Sequence, residues 1–119
     1  MKNTQKISLK SAETIEISNS EKHLTKTVKA RIDTGASKCS IDVRLAQKLN
    51  LGPIIDVSET KNSHGMSIRP VVEATVKLKD KTNTVKFTIT DRDNLKYPVL
   101  IGRNLLKQGY IVDCTESDE

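Results

Sequence analysis

Apolar residues recur at every second position through much of this chain, and that period of two limits it to strands. Residues 71–78 read Val-Val-Glu-Ala-Thr-Val-Lys-Leu, with Val72, Ala74, Val76 and Leu78 on one side, because successive side chains of a strand point to opposite faces. Residues 14–17 alternate in the same way. Residues 25–32 place Val28, Ala30 and Ile32 together, and residues 85–89 continue the pattern through Phe87. The apolar run at 97–101 suits a buried strand, and a last strand begins at residue 109. Lys81-Thr82-Asn83 reads as the turn between the strands at 71–78 and 85–89. Two segments have helical spacing. Asp42 is placed to cap a helix over 43–49, where Leu45, Ala46 and Leu49 share a face and Asn50 to Gly52 stop it. Residues 102–108 form one or two turns ended by Gly109. Many short strands with one or two short helices predict an all-β, mainly β domain, a small closed barrel or folded sheet.

The 119 residues suffice for one domain with a modest core. It is expected over residues 21–115, with 1–20 an N-terminal extension or edge strand and 116–119 an acidic tail. The chain carries 20 Lys and Arg against 15 Asp and Glu. Its lysines are scattered, not gathered into a stripe, so a solvated basic surface is preferred to a nucleic-acid site. Phe87, Tyr97 and Tyr110 are the only aromatic residues, too few for a base-stacking platform. No run approaches the ~18 apolar residues of a membrane span, and residues 1–20 lack the apolar stretch of a secretory signal. Cys39 and Cys114 are expected as free thiols. Together these features predict a cytoplasmic protein without a membrane or nucleic-acid partner.

The chemistry concentrates around Asp33. A strand ending Ala30-Arg31-Ile32 runs directly into Asp33-Thr34-Gly35-Ala36-Ser37. An acid, a hydroxyl and a small residue at a strand end make a tight loop whose N–H groups can orient the carboxylate. Gly35 permits its backbone conformation and the close approach of another chain. An Asp-Gly turn between strands accounts equally well for the tripeptide by itself. A second motif stands near the C-terminus: an apolar run, then Ile101-Gly102-Arg103-Asn104-Leu105-Leu106.

Asp33-Thr34-Gly35-Ala36 followed some seventy residues later by Ile101-Gly102-Arg103-Asn104 resembles the retropepsin-like aspartic proteases, over residues 22–114. The resemblance implies a closed acid-protease lobe, with Asp33 catalytic, Thr34, Gly35, Ala36 and Ser37 as its loop, and Ile101 to Asn104 as a structural motif packed against it. More narrowly, residues 30–40, 64–72 and 90–103 resemble a prokaryotic family labelled putative ATP-dependent zinc protease. The chemistry in that label is not matched by this sequence. There is no Gly-Lys-Ser/Thr phosphate loop and no His-Glu-x-x-His, and His23, His64, Cys39 and Cys114 fit no ligand spacing. No metal and no cofactor are expected.

Aspartic proteolysis needs two carboxylates sharing one proton, and this chain holds one Asp-Thr-Gly. The resemblance therefore implies a two-fold homodimer with one Asp33 from each subunit. Thr34 would bond across the axis, and residues 110–113 would join an intersubunit sheet. It also implies a flap over residues 59–69, tipped by 61–66, closing on a peptide. At its tip, His64 and Gly65 are candidates for substrate contact, against the plainer reading of an exposed loop. Arg31 and Arg69 are placed to reach the cleft and take an acidic or glutamate-rich peptide. Salt-bridged surface arginines are the alternative. Three functions remain in order: an aspartic endopeptidase, a non-catalytic peptide-binding dimer of the same fold, and, last, a metal-dependent hydrolase.

Overall fold

The computed structural model describes residues 5–115. The elements run β1 (Ile7–Leu9), β2 (Ala12–Asn19), β3 (Leu24–Ile32), β4 (Cys39–Asp42), α1 (Val43–Lys48), β5 (Asp56–Asn62), β6 (Gly65–Leu78), β7 (Lys81–Thr90), β8 (Val99–Ile101), α2 (Arg103–Leu106) and β9 (Tyr110–Val112). Six strands pair in the order β2-β3-β8-β4-β7-β6, and β2 closes the ring on β6 through Glu16–Lys77, Ile17–Val76 and Ser18–Thr75. The result is the closed, mainly β barrel with two short helices that the alternation predicts.

The core follows the period of two. Val72, Ala74, Val76 and Leu78 of β6 all face inward. They meet Phe87, Ile41, Ile101 and Leu105, and Ile15 and Ile17 from β2, each at most 1 % exposed. The Tyr110 hydroxyl donates to the Leu78 carbonyl at 3.0 Å, which satisfies its polar end inside the cluster. The segment expected as an extension or edge strand carries β1 and β2, and β2 is paired on both sides over Glu16 to Ser18. The tail 116–119 lies outside the described residues.

Asp42 caps α1 as expected, its carboxylate accepting from the Arg44 N–H at 3.0 Å. Asn50, with φ of 53°, takes the chain out of the helix. The turn at 81–83 needs correction. Leu78 pairs with Lys81, so the β6–β7 turn is Lys79-Asp80, with Lys79 at φ 59°. Lys81 to Asn83 belong to β7, and their polar character reflects a half-exposed strand end, not a turn. Three strands escape the alternation. All four residues of β4 are buried, because it has the core on one face and a cleft on the other. β5 is polar and β1 spans three residues. The last strand, β9, runs parallel to β1 of its own chain, Ile7 opposite Tyr110. One of its edges is therefore already used within the subunit.

Phe87 is fully buried and Leu95 is 55 % exposed. Phe87→Ala is expected to lose about 3–5 kcal/mol in urea unfolding, and Leu95→Ala less than about 0.5 kcal/mol.

Candidate functional site

Strand order builds the Asp33 loop. β8 lies between β3 and β4, parallel to the first and antiparallel to the second, and the loop 33–38 connects the two strands that flank it. The Asp33 N–H donates to the Ile101 carbonyl at 2.9 Å, continuing the β3–β8 ladder one residue beyond the strand. Asp33 is half-buried as a residue, and its Oδ1 accepts from the Gly35 N–H at 2.8 Å.

The turn after β8 fastens the loop from below. The Arg103 N–H donates to the Ala36 carbonyl at 2.8 Å and the Asn104 N–H to the Ser37 carbonyl at 3.2 Å. The Arg103 guanidinium reaches the Thr34 carbonyl at 2.9 Å. Asn104 Oδ1 accepts from the Cys39 N–H at 3.0 Å, and its Nδ2 donates to the Lys86 carbonyl. One side chain thus ties the loop to β4 and β7. Gly102 is where the chains touch most closely: a Cβ there would stand 2.5 Å from the Lys38 carbonyl oxygen and 2.9 Å from that of Ala36. Gly35 is needed for space and not for conformation, since its φ lies outside the left-handed region and a Cβ would meet Asp33 Oδ1 at 3.2 Å. Thr34 and Ser37 are exposed and Ala36 is half-buried.

Beside this loop lies a cleft of about 360 Å³. Its floor is one row across the barrel, Leu100, Ser40 and Thr88 in successive pairing. Its wall is the base of the β5–β6 hairpin, where Ser58 opposes Arg69. Lys38 Nζ donates to Ser58 Oγ at 3.0 Å and links the Asp33 loop to that hairpin. The hairpin ends in a two-residue turn of Ser63 and His64, with Gly65 at φ 121°. His64 and Gly65 are exposed at its tip, away from the residues lining the cleft.

Arg69 lines the cleft and Arg31 flanks its floor, opposite Leu100. Neither makes an ion pair among the described residues. Arg92, which sequence reasoning missed, lines the same cleft at 8 % exposure. Its Nε donates to the Tyr97 carbonyl at 2.9 Å and its N–H to Asp42 Oδ1 at 2.7 Å. Burial lowers the Arg92 pKa; Asp42 opposes that shift, while Arg31 and Arg69 add to it. Burial works to raise the Asp42 carboxyl, but the Arg92 and Arg44 N–H groups and the Arg44 guanidinium outweigh it and hold the carboxyl below its usual range. The only signal for Arg92 was its place in the run Thr90-Asp91-Arg92.

Cys39 lies under the loop at 0 % exposure. Burial pushes its thiol up to about 11, against the opposing Gly102 and Leu105 N–H groups, so it is a packing residue and not a nucleophile. Among the described residues no three His, Cys, Asp or Glu side chains gather as metal ligands, and no helix is long and apolar enough to cross a membrane. A larger groove of about 420 Å³ lies along β2, β3 and β6. Its Lys79–Glu13 and Lys77–Glu16 pairs offset each other's charge, and the Asp33 loop does not line it.

The family described as RimB-like, retropepsin-like aspartic endopeptidase RimB, matches residues 42–118. No curated protein matches the chain. Among solved structures the chain is similar to Lpg0085 of Legionella pneumophila, a protein of unknown function. That match has 23 % identity and a TM-score of 0.62 over 93 % of this chain and 95 % of that one. It is also similar to the Simian Foamy Virus (mac) protease, with 17 % identity and a TM-score of 0.61 over 81 % and 91 %. EIAV protease in complex with the inhibitor HBY-793 matches with 15 % identity and a TM-score of 0.64 over 82 % and 85 %. These likenesses are of fold.

Two outcomes follow from the loop's packing. Gly102→Ala is expected to cost about 1–3 kcal/mol in urea unfolding, because backbone and not a movable side chain blocks the methyl. In native protein at pH 8, iodoacetamide is expected to label Cys114, which is exposed, and to spare Cys39 until denaturant is added, read by intact-mass spectrometry.

Proposed function

Because the chain belongs to the RimB-like family of retropepsin-like aspartic endopeptidases, we propose that it is a homodimeric endopeptidase using Asp33 of each subunit. The observation that carries this reading is the single Asp-Thr-Gly loop, held by β8, Gly102 and Arg103, with Asp33 half-buried and its carboxylate oriented by the Gly35 N–H. One such loop is half a site. Two-fold symmetry brings the same loop against itself and supplies the second carboxylate, with Thr34 bonding across the axis.

Two carboxylates ~3 Å apart cannot both ionise, so the pair holds one proton. The ionised Asp33 takes a proton from water as the water oxygen bonds to the scissile carbonyl carbon. The partner subunit's Asp33, protonated, gives its proton to the carbonyl oxygen. Collapse of the tetrahedral intermediate breaks the C–N bond: the proton taken from water passes to the leaving amine, and one hydroxyl of the intermediate returns its proton to the partner subunit's Asp33, which restores the one-proton pair. No metal takes part. Arg31, Arg69 and the newly found Arg92, with Lys38, give the cleft a cationic wall, which supports an acidic peptide or protein tail as substrate. The flap tip, with His64 and Gly65, closes over it. The reaction belongs in the cytoplasm in this reading.

A non-catalytic peptide-binding dimer is the second reading. It is favoured by one observation: the family match over 42–118 begins after the Asp33 loop. Asp33→Asn separates the two. In the protease reading, it abolishes cleavage of an acidic peptide library while sedimentation still shows a dimer. Unchanged cleavage by Asp33→Asn, or a strict monomer at high concentration, refutes the aspartic mechanism.

A further inference from the structure

The most buried cation of the cleft is Arg92. It is more than nine-tenths buried, yet no carboxylate hydrogen-bonds its guanidinium among the described residues. Asp42 and the sequence neighbours of Arg92, Asp91 and Asp93, are occupied elsewhere. All three direct their side-chain oxygens to Arg44, at 2.7, 2.6 and 3.7 Å. Asp42 attracts the guanidinium through space, while Arg31 and Arg69 add two like charges to its surroundings, and a buried guanidinium with no hydrogen-bonded anion is costly. Its geometry is nevertheless well defined. Tyr97 holds Nε, which fixes the plane of the group and leaves its terminal nitrogens for a ligand, while Asp42 holds the Arg92 N–H.

We propose that Arg92 is the specificity-determining residue of the cleft, pairing its terminal guanidinium nitrogens with a carboxylate side chain of the bound peptide, and that Asp42 is its positioning residue. The proposal rests on the acidic-peptide reading above and names the residue that enforces it. Asp42 acts through backbone. Its Oδ1 accepts from Arg92 and its own N–H donates to the Pro98 carbonyl at 2.8 Å, so it braces both ends of the 91–98 loop. Arg44 holds the same Asp42 carboxylate from the other side, at 2.7 Å. A planar guanidinium distinguishes a carboxylate from its amide isostere, since both carboxylate oxygens accept. Arg69, half-buried on the opposite wall, adds attraction without fixed orientation.

The test is stopped-flow fluorescence anisotropy on the full chain at fixed ionic strength, read before turnover. The probes are fluorescein-labelled Ala-(Glu)4-Ala and its glutamine counterpart Ala-(Gln)4-Ala. The wild type is expected to prefer the glutamyl peptide by about tenfold or more. Arg92→Gln is expected to bring that ratio close to one, and Arg92→Lys to lower it severalfold by removing the planar fork. Should Arg92→Gln fail to fold, Arg92→Lys decides. Asp42→Ala should lower the ratio, and Asp42→Asn, which keeps an acceptor for the Arg92 N–H, should retain most of it. An unchanged ratio in both Arg92 variants overturns the assignment of Arg92, and an unchanged ratio in Asp42→Ala overturns the positioning role. A wild type without glutamyl preference overturns the subsite but not the Asp33 mechanism, which the loss of cleavage in Asp33→Asn decides separately.

Discussion

The contact on which the rest of the site depends is that of Gly102 with the loop beneath Asp33. No Cβ fits between residue 102 and the carbonyls of Ala36 and Lys38, and that closeness lets the Arg103 and Asn104 N–H groups reach the loop's carbonyls. The loop is irregular backbone, and irregular backbone must find partners when it is half-buried. Here the partners come from one turn, between β8 and α2. The same turn positions Asn104 to satisfy the Cys39 N–H and the Lys86 carbonyl. The Asp33 loop is therefore braced by β8 and α2 on one side and by β4 and β7 on the other.

The cleft has the opposite character. Its lining is polar and its cations outnumber its acids, with Lys38, Arg69 and Arg92 facing Glu59. Asp42 and Asp91, which do not line the cleft, are clustered on Arg44. An anion entering the cleft meets donors whose own partners are elsewhere. This division, with charges compensated outside the cleft and left open within it, suits binding better than stability, because a buried charge without a partner is unfavourable until a ligand supplies one.

Much of the fold was legible because burial on one face leaves a period of two in the sequence. β2, β3, β6 and β7 could be read from it, as could the capped helix after Asp42. β4 was not legible, since Cys39-Ser40-Ile41-Asp42 is buried on both faces and alternates nothing. Nor were β1 and β5, which are held mainly by pairing with β9 and β6. The misplaced β6–β7 turn has the same origin: the polar end of a strand and a turn share a composition.

The sequence by itself determined the Asp33 and Gly102 motifs and their order, because these depend on residue identity and spacing along the chain. It also determined the barrel's class, through alternation. Only the tertiary structure decided what lines the cleft next to the Asp33 loop. Arg92 is about sixty residues from Asp33 in sequence, and the threading of β8 between β3 and β4, with β7 alongside, brings it to the same cleft as Ala36 and Ser37 of that loop. A spacing pattern cannot report this, since the pairing of distant strands is set by the closure of the whole barrel and not by any segment of it.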